Sequence, residues 1–189
     1  MFLSLAKQDY NQADYFITNL QCNHKFGPLL TNTKDNLDIK LDIVVQGDHV
    51  PKAEHNNQTI GECICARYHR LPYKAISNVM LIALAKLSTR QLNFYPTKNG
   101  VLLYYSPYML LNKRNLQYDK HCTYTFGSYV QAAEENRIKN DNKPRTVDGI
   151  YLEPNMSPSG GHWIMNIVTG AKMHKARVLK IPITDFVIV

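Results

Sequence analysis

Along the first 115 residues, apolar positions alternate in two short runs and then recur at helical spacing. The runs at residues 14–22 and 41–46 alternate and contain β-branched and aromatic side chains, which predicts two strands. A short helix over about residues 26–36 is predicted between them. After Pro51, apolar residues recur at helical spacing as far as Tyr68. The pattern therefore predicts a β-α-β-α unit, preceded at residues 1–14 by the end of a helix.

The strongest helical pattern in the chain covers residues 75–92. Ser77 is a plausible N-cap, and the residues from Val79 to Leu87 are apolar on almost every face, which predicts a buried helix. A turn at residues 95–100 and a short helix beginning at Ser106-Pro107 follow.

From about residue 124, the spacing of apolar residues changes to that of short strands. Four runs are separated by polar or glycine-rich stretches, which predicts a small antiparallel β-barrel. The chain is thus predicted to contain an α/β domain at residues 1–115 and an all-β domain at residues 116–189. The four runs are residues 124–132, 146–152, 162–167 and 176–183.

Composition adds a preference for an anionic partner and excludes several classes of protein. The 189 residues contain 22 Lys and Arg against 15 Asp and Glu, a formal net charge of +7, which favours nucleic acid as a partner. Hydrophobic residues at 44% argue against a disordered chain. No apolar run approaches the roughly eighteen residues of a membrane span, and no secretory signal order is present. We therefore expect a cytoplasmic or nuclear protein with no membrane contact.

The cysteines and histidines do not form a recognisable metal site. The four cysteines lack the paired spacing of a zinc site and the density of a secreted disulfide scaffold, so we predict that they are reduced. The seven histidines lack the short fixed spacing of a zinc helix. We expect this chain to hold no metal.

One carboxylate is placed where chemistry often occurs. Glu54 falls in the first turn of the helix that opens at Pro51, where free backbone N–H groups and the helix dipole favour negative charge. The ends of open α/β sheets are common binding sites. The simpler interpretation is that Glu54 only complements the dipole.

Glu54 also belongs to an ordered series of residues that extends through most of the chain. From about Tyr15 onward this series resembles the end of the integrase core in copia-type retrotransposon polyproteins and the domain that follows it. Its members are His49-Val50-Pro51, Glu54, Thr59, Glu62, residues 68–74 (YHRLPYK), Leu92-Asn93, Pro96, Lys98, Gly100, Ser106-Pro107, Tyr118, residues 120–122 (KHC), residues 126–131 (FGSYVQ), Arg145-Thr146, Gly149-Ile150, Pro154, residues 160–162 (GGH) and Thr169-Gly170.

The resemblance implies the latter half of an RNase H-like core, followed by a Src-homology-3-like barrel. Such integrases use Mg²⁺ held by three carboxylates, and Glu54 matches the third of them. Asn23 stands where the second aspartate is expected, and Lys25 replaces an acid that often follows it. The strand that carries the first aspartate belongs to the half of the core that this match does not include. A neutral Asn carbonyl is a weak ligand for Mg²⁺, so catalysis by this chain alone is not expected.

Three hypotheses follow from these patterns. The chain is a catalytically inactive fragment of an integrase that binds DNA or RNA weakly and without sequence preference, an integrase subunit completed by a partner chain, or an unrelated small binding module. The first allows association with other fragments of the same polyprotein. Its predicted phosphate contacts are Lys172, Lys175 and Arg177, whose alternative role is a solvated surface.

Overall fold

The computed structural model describes residues 2–23, 39–44, 50–96, 102–134, 144–157 and 159–187. The chain divides into two compact units. The first comprises Met1–Glu62 and Asn93–Asn115, and the second comprises Cys63–Leu92 and Leu116–Val189. The segment Cys63–Leu92, which the sequence pattern assigns to the first domain, thus groups with the C-terminal part of the chain.

The first unit contains a parallel pair of strands. Helix α1 (Phe2–Gln12) precedes β1 (Asn19–Asn23), which pairs with β2 (Lys40–Val44) in parallel. β1 is shorter than its predicted run, because residues 14–18 are not part of it, and β2 begins one residue before its predicted run. The last two residues of that run, 45 and 46, lie outside the described residues. The helix predicted over residues 26–36 lies outside the described residues.

Helix α2 (Pro51–Tyr68) begins at the predicted proline and ends at the predicted tyrosine. None of its residues is buried, and all of residues 51–58 are exposed. An amphipathic helix buries the apolar stripe along one of its faces. The apolar stripe in the sequence of α2 is weak, so the low burial of this helix agrees with its sequence.

The second unit is built around a five-stranded antiparallel sheet. Its strands lie in the order β6-β5-β4-β3-β7. The mixture of helices and strands and the antiparallel arrangement of the C-terminal sheet are therefore as predicted. The sheet is open, whereas a barrel was predicted, and it has five strands instead of four because the strand at Lys172–Lys175 was not among the predicted runs. The strands are β3 (Tyr129–Ala133), β4 (Thr146–Pro154), β5 (His162–Asn166), β6 (Lys172–Lys175) and β7 (Val178–Lys180).

This sheet is open but strongly curled, because a very short connection joins its two edge strands. β6 ends at Lys175 and β7 begins at Val178, although three strands lie between them in the sheet. In a flat sheet the two edges would be about 19 Å apart at a strand spacing of about 4.8 Å. The three peptide steps between these residues span at most about 11 Å. The edges must therefore approach each other at this end.

Strand β4 carries the features that allow the bend. Its register with β5 shifts between Tyr151 and Glu153, and such an irregularity bends the strand that contains it. A Cβ atom added to Gly149 would lie 2.9 Å from Cδ1 of Ile164 and 3.0 Å from the carbonyl oxygen of Met165. Glycine is therefore required where β4 and β5 lie this close together.

Helix α3 (Asn78–Leu92) packs one face against the sheet. Ser77 caps it as predicted, since its Oγ accepts from the Met80 N–H at 3.3 Å. The prediction that this helix is buried on almost every face is wrong, because Leu81 and Ile82 are 45% and 57% exposed. A helix that lies on one face of a sheet buries only the stripe towards it. The core of the unit is formed by Met80, Ala83, Leu84 and Leu87 of α3 with Phe126, Ile150 and Leu152.

Two short helices, α4 (Pro107–Asn112) and α5 (Tyr118–His121), complete the described helices of the chain. The short helix predicted to begin at Ser106-Pro107 is α4, and Ser106 caps it by accepting from the Met109 N–H at 3.3 Å. The four cysteines are free thiols, as expected. In the part of the chain that the structure describes, no helix is both long and apolar enough to cross a bilayer.

Replacing leucine by alanine should lower the stability of the protein by different amounts on the buried and exposed faces of α3. Leu84→Ala should destabilise the protein by about 2 to 5 kcal/mol, because it opens a cavity in the core. Leu81→Ala, the matched control on the exposed face, should cost less than about 1 kcal/mol. Urea unfolding followed by circular dichroism measures both, and equal losses would contradict the packing of α3.

Candidate functional site

Of the two residues predicted at the end of the integrase core, Asn23 lies at the end of the parallel strand pair and Glu54 lies in helix α2. Asn23 is the last residue of β1, in register with Val44, the last residue of β2. Glu54 is exposed in the first turn of α2, the next described helix after β2. Asp48 and His49, between β2 and α2, lie outside the described residues.

These residues do not match the donors that Mg²⁺ needs. Hard cations are held by several carboxylate oxygens, whereas the strand end presents the neutral amide of Asn23. Asp42 lies inside β2, and its Oδ2 accepts from Nε2 of Gln21 on β1 at 3.0 Å. Among the described residues, no group of three Asp, Glu, His or Cys side chains is arranged to hold a metal ion. The donors in the described part of the chain therefore do not fit the ion that the resemblance implies.

A buried carboxylate organises the second unit. Glu153 in β4 is only 3% exposed. Its Oε2 lies 3.0 Å from Nη1 of Arg90 in α3, and its Oε1 lies 2.6 Å from Nζ of Lys172 in β6. A buried carboxylate of this kind is stable only when cations compensate its lost hydration. The two ion pairs connect helix α3 and edge strand β6 to the central strand of the sheet.

Lys172 is further held by an aromatic ring. Its Nζ lies 4.7 Å from the ring centroid of Trp163 in β5, a cation–π distance. The other neighbour of this indole is His174, with ring centroids 5.2 Å apart. A phosphate bound by Lys172 would have to compete with Glu153 and Trp163, so this lysine is less suited to the predicted contact than its neighbours.

The other basic residues lie where the two edges of the curled sheet approach each other. Lys175 ends β6, Arg177 follows in the connection, and Lys180 ends β7; we call these three residues the basic corner. Arg177 and Lys180 are exposed and Lys175 is half-buried. None of the three forms an ion pair with a carboxylate among the residues described here.

A histidine beside the basic corner is held neutral. His162 is in register with Lys175 and stacks against Tyr124 and Tyr151 at centroid distances of 5.1 and 5.8 Å. Burial, and then the charge of His174, lowers the pKa of His162. The positive charge at this corner near neutral pH therefore comes from lysine and arginine.

Sequence reasoning missed the residues that hold this region together. The pairing of Glu153 with Arg90 and Lys172 joins positions far apart in the chain, which no local pattern reveals. The sequence contained one sign of a buried ion pair: the acid Glu153 directly follows the apolar run Ile150-Tyr151-Leu152. An acid in such a position is seldom buried unless it is paired.

Comparison of the chain with protein-family models and with curated proteins finds no match.

The role of Lys172 predicts a loss of stability that other edge lysines do not share. Lys172→Met should destabilise the protein by about 1 to 2 kcal/mol, because it leaves Glu153 with a single cation and removes the contact with Trp163. Lys180→Met removes the same charge from the opposite edge strand and should change stability by less than about 0.5 kcal/mol. Equal midpoints for the two variants in urea unfolding would argue against the ion pairs as the tie between β6 and β4.

Proposed function

We propose that this chain is a catalytically inactive piece of a copia-type integrase, and that its remaining activity is weak, sequence-independent binding of nucleic acid. On this proposal β1, β2 and α2 correspond to the latter part of an RNase H-like core. The curled sheet corresponds to the Src-homology-3-like barrel that follows it. The observation that carries the binding proposal is the basic corner, where Lys175, Arg177 and Lys180 follow one another without carboxylate partners among the described residues.

The chemistry of the basic corner supports phosphate binding more than base reading. Lysine and arginine on an exposed edge attract the nucleic-acid backbone regardless of sequence. The net charge of +7 acts in the same direction over a longer range. Leu179 lies between Arg177 and Lys180, and its side chain is 65% exposed.

Lys172 is already held by Glu153 and Trp163. We therefore revise the proposed phosphate contacts from Lys172, Lys175 and Arg177 to Lys175, Arg177 and Lys180.

A subunit completed by a partner chain is the second candidate. The observation in its favour is that β1 and β2 form a two-stranded parallel sheet, whereas parallel sheets normally contain more strands and are covered on both faces. Asn23 argues against restored catalysis, because a partner that contributes a further strand leaves this position of the chain unchanged.

If the chain has lost catalysis, it should neither cleave nor join DNA, and a single substitution at Asn23 should not restore activity. The protein should show no DNA cleavage or strand transfer with Mg²⁺ or Mn²⁺, and Asn23→Asp should stay inactive, because the donor set would still lack a carboxylate. The measurement is a gel assay with a labelled duplex. Metal-dependent activity that Glu54→Ala abolishes would refute the proposal.

Retained binding predicts weak affinity for DNA that falls steeply with salt. Lys175→Ala/Arg177→Ala/Lys180→Ala should lower the slope of log K against log salt by up to about one unit per lost phosphate contact. Lys52→Ala/Lys86→Ala is a control that removes exposed lysines from helices, and it should change the slope less. Fluorescence anisotropy with short duplexes of two unrelated sequences measures both.

Two results of this titration would contradict the binding proposal. One is the absence of binding at low salt, and the other is a slope that the triple substitution leaves unchanged. In either case the basic corner serves only as a solvated surface, and the hypothesis of an unrelated binding module gains weight.

A further inference from the structure

The side chain of Tyr124 connects two separate strands of the curled sheet. Its ring centroid lies 5.1 Å from that of His162, the first residue of β5, and 5.3 Å from that of Tyr151 in β4. Its hydroxyl donates to the carbonyl of Val178, the first residue of β7, at 2.8 Å. Two strands lie between β5 and β7 in the order of the sheet. One side chain therefore joins two sides of the curl.

Tyr124, Tyr151 and His162 form a group of three contacting rings, which we call the aromatic cluster. The ring centroids of Tyr151 and His162 are 5.8 Å apart. Tyr151 is only 1% exposed, and the other two residues are half-buried. The Nδ1 atom of His162 is buried and has no hydrogen-bond partner among the described residues. In a neutral imidazole Nδ1 can be the nitrogen without a proton, whereas in an imidazolium both nitrogens are donors that need acceptors.

The side chains that face His162 offer no negative charge to a protonated ring. On β6, Lys175 is its register partner, and His174 is near enough to act on it by charge. The two tyrosines of the aromatic cluster are neutral at acid pH. The Cys122 thiol lies near one of them, and burial raises its pKa, so it too is uncharged. A proton on His162 would therefore meet only neutral or basic groups.

The buried carboxylate of β4 lies on the other face of the sheet. Glu153 is in register with Trp163, and successive residues of a strand point to opposite faces. Its side chain is therefore separated by the sheet from that of His162. Two cations, one from α3 and one from β6, already compensate this carboxylate. Among the described residues, His162 forms no ion pair of its own.

We propose that His162 makes the closure of the curled sheet sensitive to acid. Protonation of its ring places a cation against two tyrosine rings and opposite Lys175, so the imidazole leaves the aromatic cluster. The bridge that Tyr124 forms between β5 and β7 then loosens. Burial, and then the charge of His174, lowers the pKa of His162, which agrees with this geometry. The inference does not depend on the proposed binding of nucleic acid.

The contribution of His162 to stability should be lost as the pH falls below about 6.5, the usual pKa of a histidine in an unfolded chain. A histidine whose pKa is lowered by folding binds fewer protons in the folded protein than in the unfolded one. Its contribution is therefore complete above the unfolded pKa. Below that pH, protons bind the unfolded state first and shift the equilibrium towards it.

The titration of His162 in the natural chain tests the inference without any substitution. Its Hε1 resonance, assigned by triple-resonance NMR, should titrate at a lower pH in the folded protein than in the protein unfolded by urea. Cation–π attraction to the tyrosine rings would act in the opposite direction. A pKa of His162 in the folded protein that equals or exceeds its value in the unfolded protein would overturn the inference.

His162→Phe removes the titrating group and keeps an aromatic ring in the cluster. Between about pH 7.5 and pH 5, the urea midpoint of the natural chain should fall further than that of this variant, because effects of the carboxylates common to both chains cancel. His55→Gln removes an exposed histidine from α2 and is the control, with a fall like that of the natural chain. Equal falls for the natural chain and His162→Phe would refute the proposal.

Hydrogen exchange measures where the structure loosens. In the natural chain, protection of the β5–β6 and β3–β7 amides, corrected for the intrinsic effect of pH on exchange, should fall on acidification by a larger factor than protection of the α3 amides. In His162→Phe the two groups of amides should fall by similar factors. An equal fall for both groups in the natural chain would show that acid does not act on the closure of the sheet, and the proposal would then be wrong.

Discussion

The buried carboxylate of Glu153 is the constraint on which the second unit depends most. It lies in the central strand of a curled sheet, where a lone negative charge would be unstable. Arg90 from helix α3 and Lys172 from edge strand β6 compensate it. The helix and the edge strand are thus held to β4 by charge as well as by apolar packing. These contacts give Lys172 a structural role. The residues of the basic corner lack such contacts among the described residues and face solvent.

The curvature of the sheet turns a short run of sequence into a local concentration of charge. β6 and β7 are opposite edges in strand order, yet Lys175 and Val178 are separated by only two residues. Bending at β4, where Gly149 allows close approach of β5, brings these edges together. Lysine and arginine from the two edges then lie at one corner. An electrostatic surface of this kind follows from backbone geometry more than from the number of basic residues.

The first unit differs from the second in how it meets solvent. Its described strands form a parallel pair, and the part of α2 that belongs to it, residues 51–62, contains no buried residue. Asn23 and Glu54 both lie in this unit.

Local pattern predicted the parts of this protein that depend on near neighbours in sequence. The start of α2 at Pro51, the cap at Ser77, the start of α4 at Ser106-Pro107, both short strands and the free thiols required only propensity, spacing and composition. The exposure of Leu81 and Ile82 was missed because periodicity shows which residues are apolar but not whether a second layer covers them. The Glu153 ion pairs and the curl of the sheet arise from contacts between distant residues. Those contacts exist only once the chain has folded, because burial and strand order decide which charges and backbone groups meet.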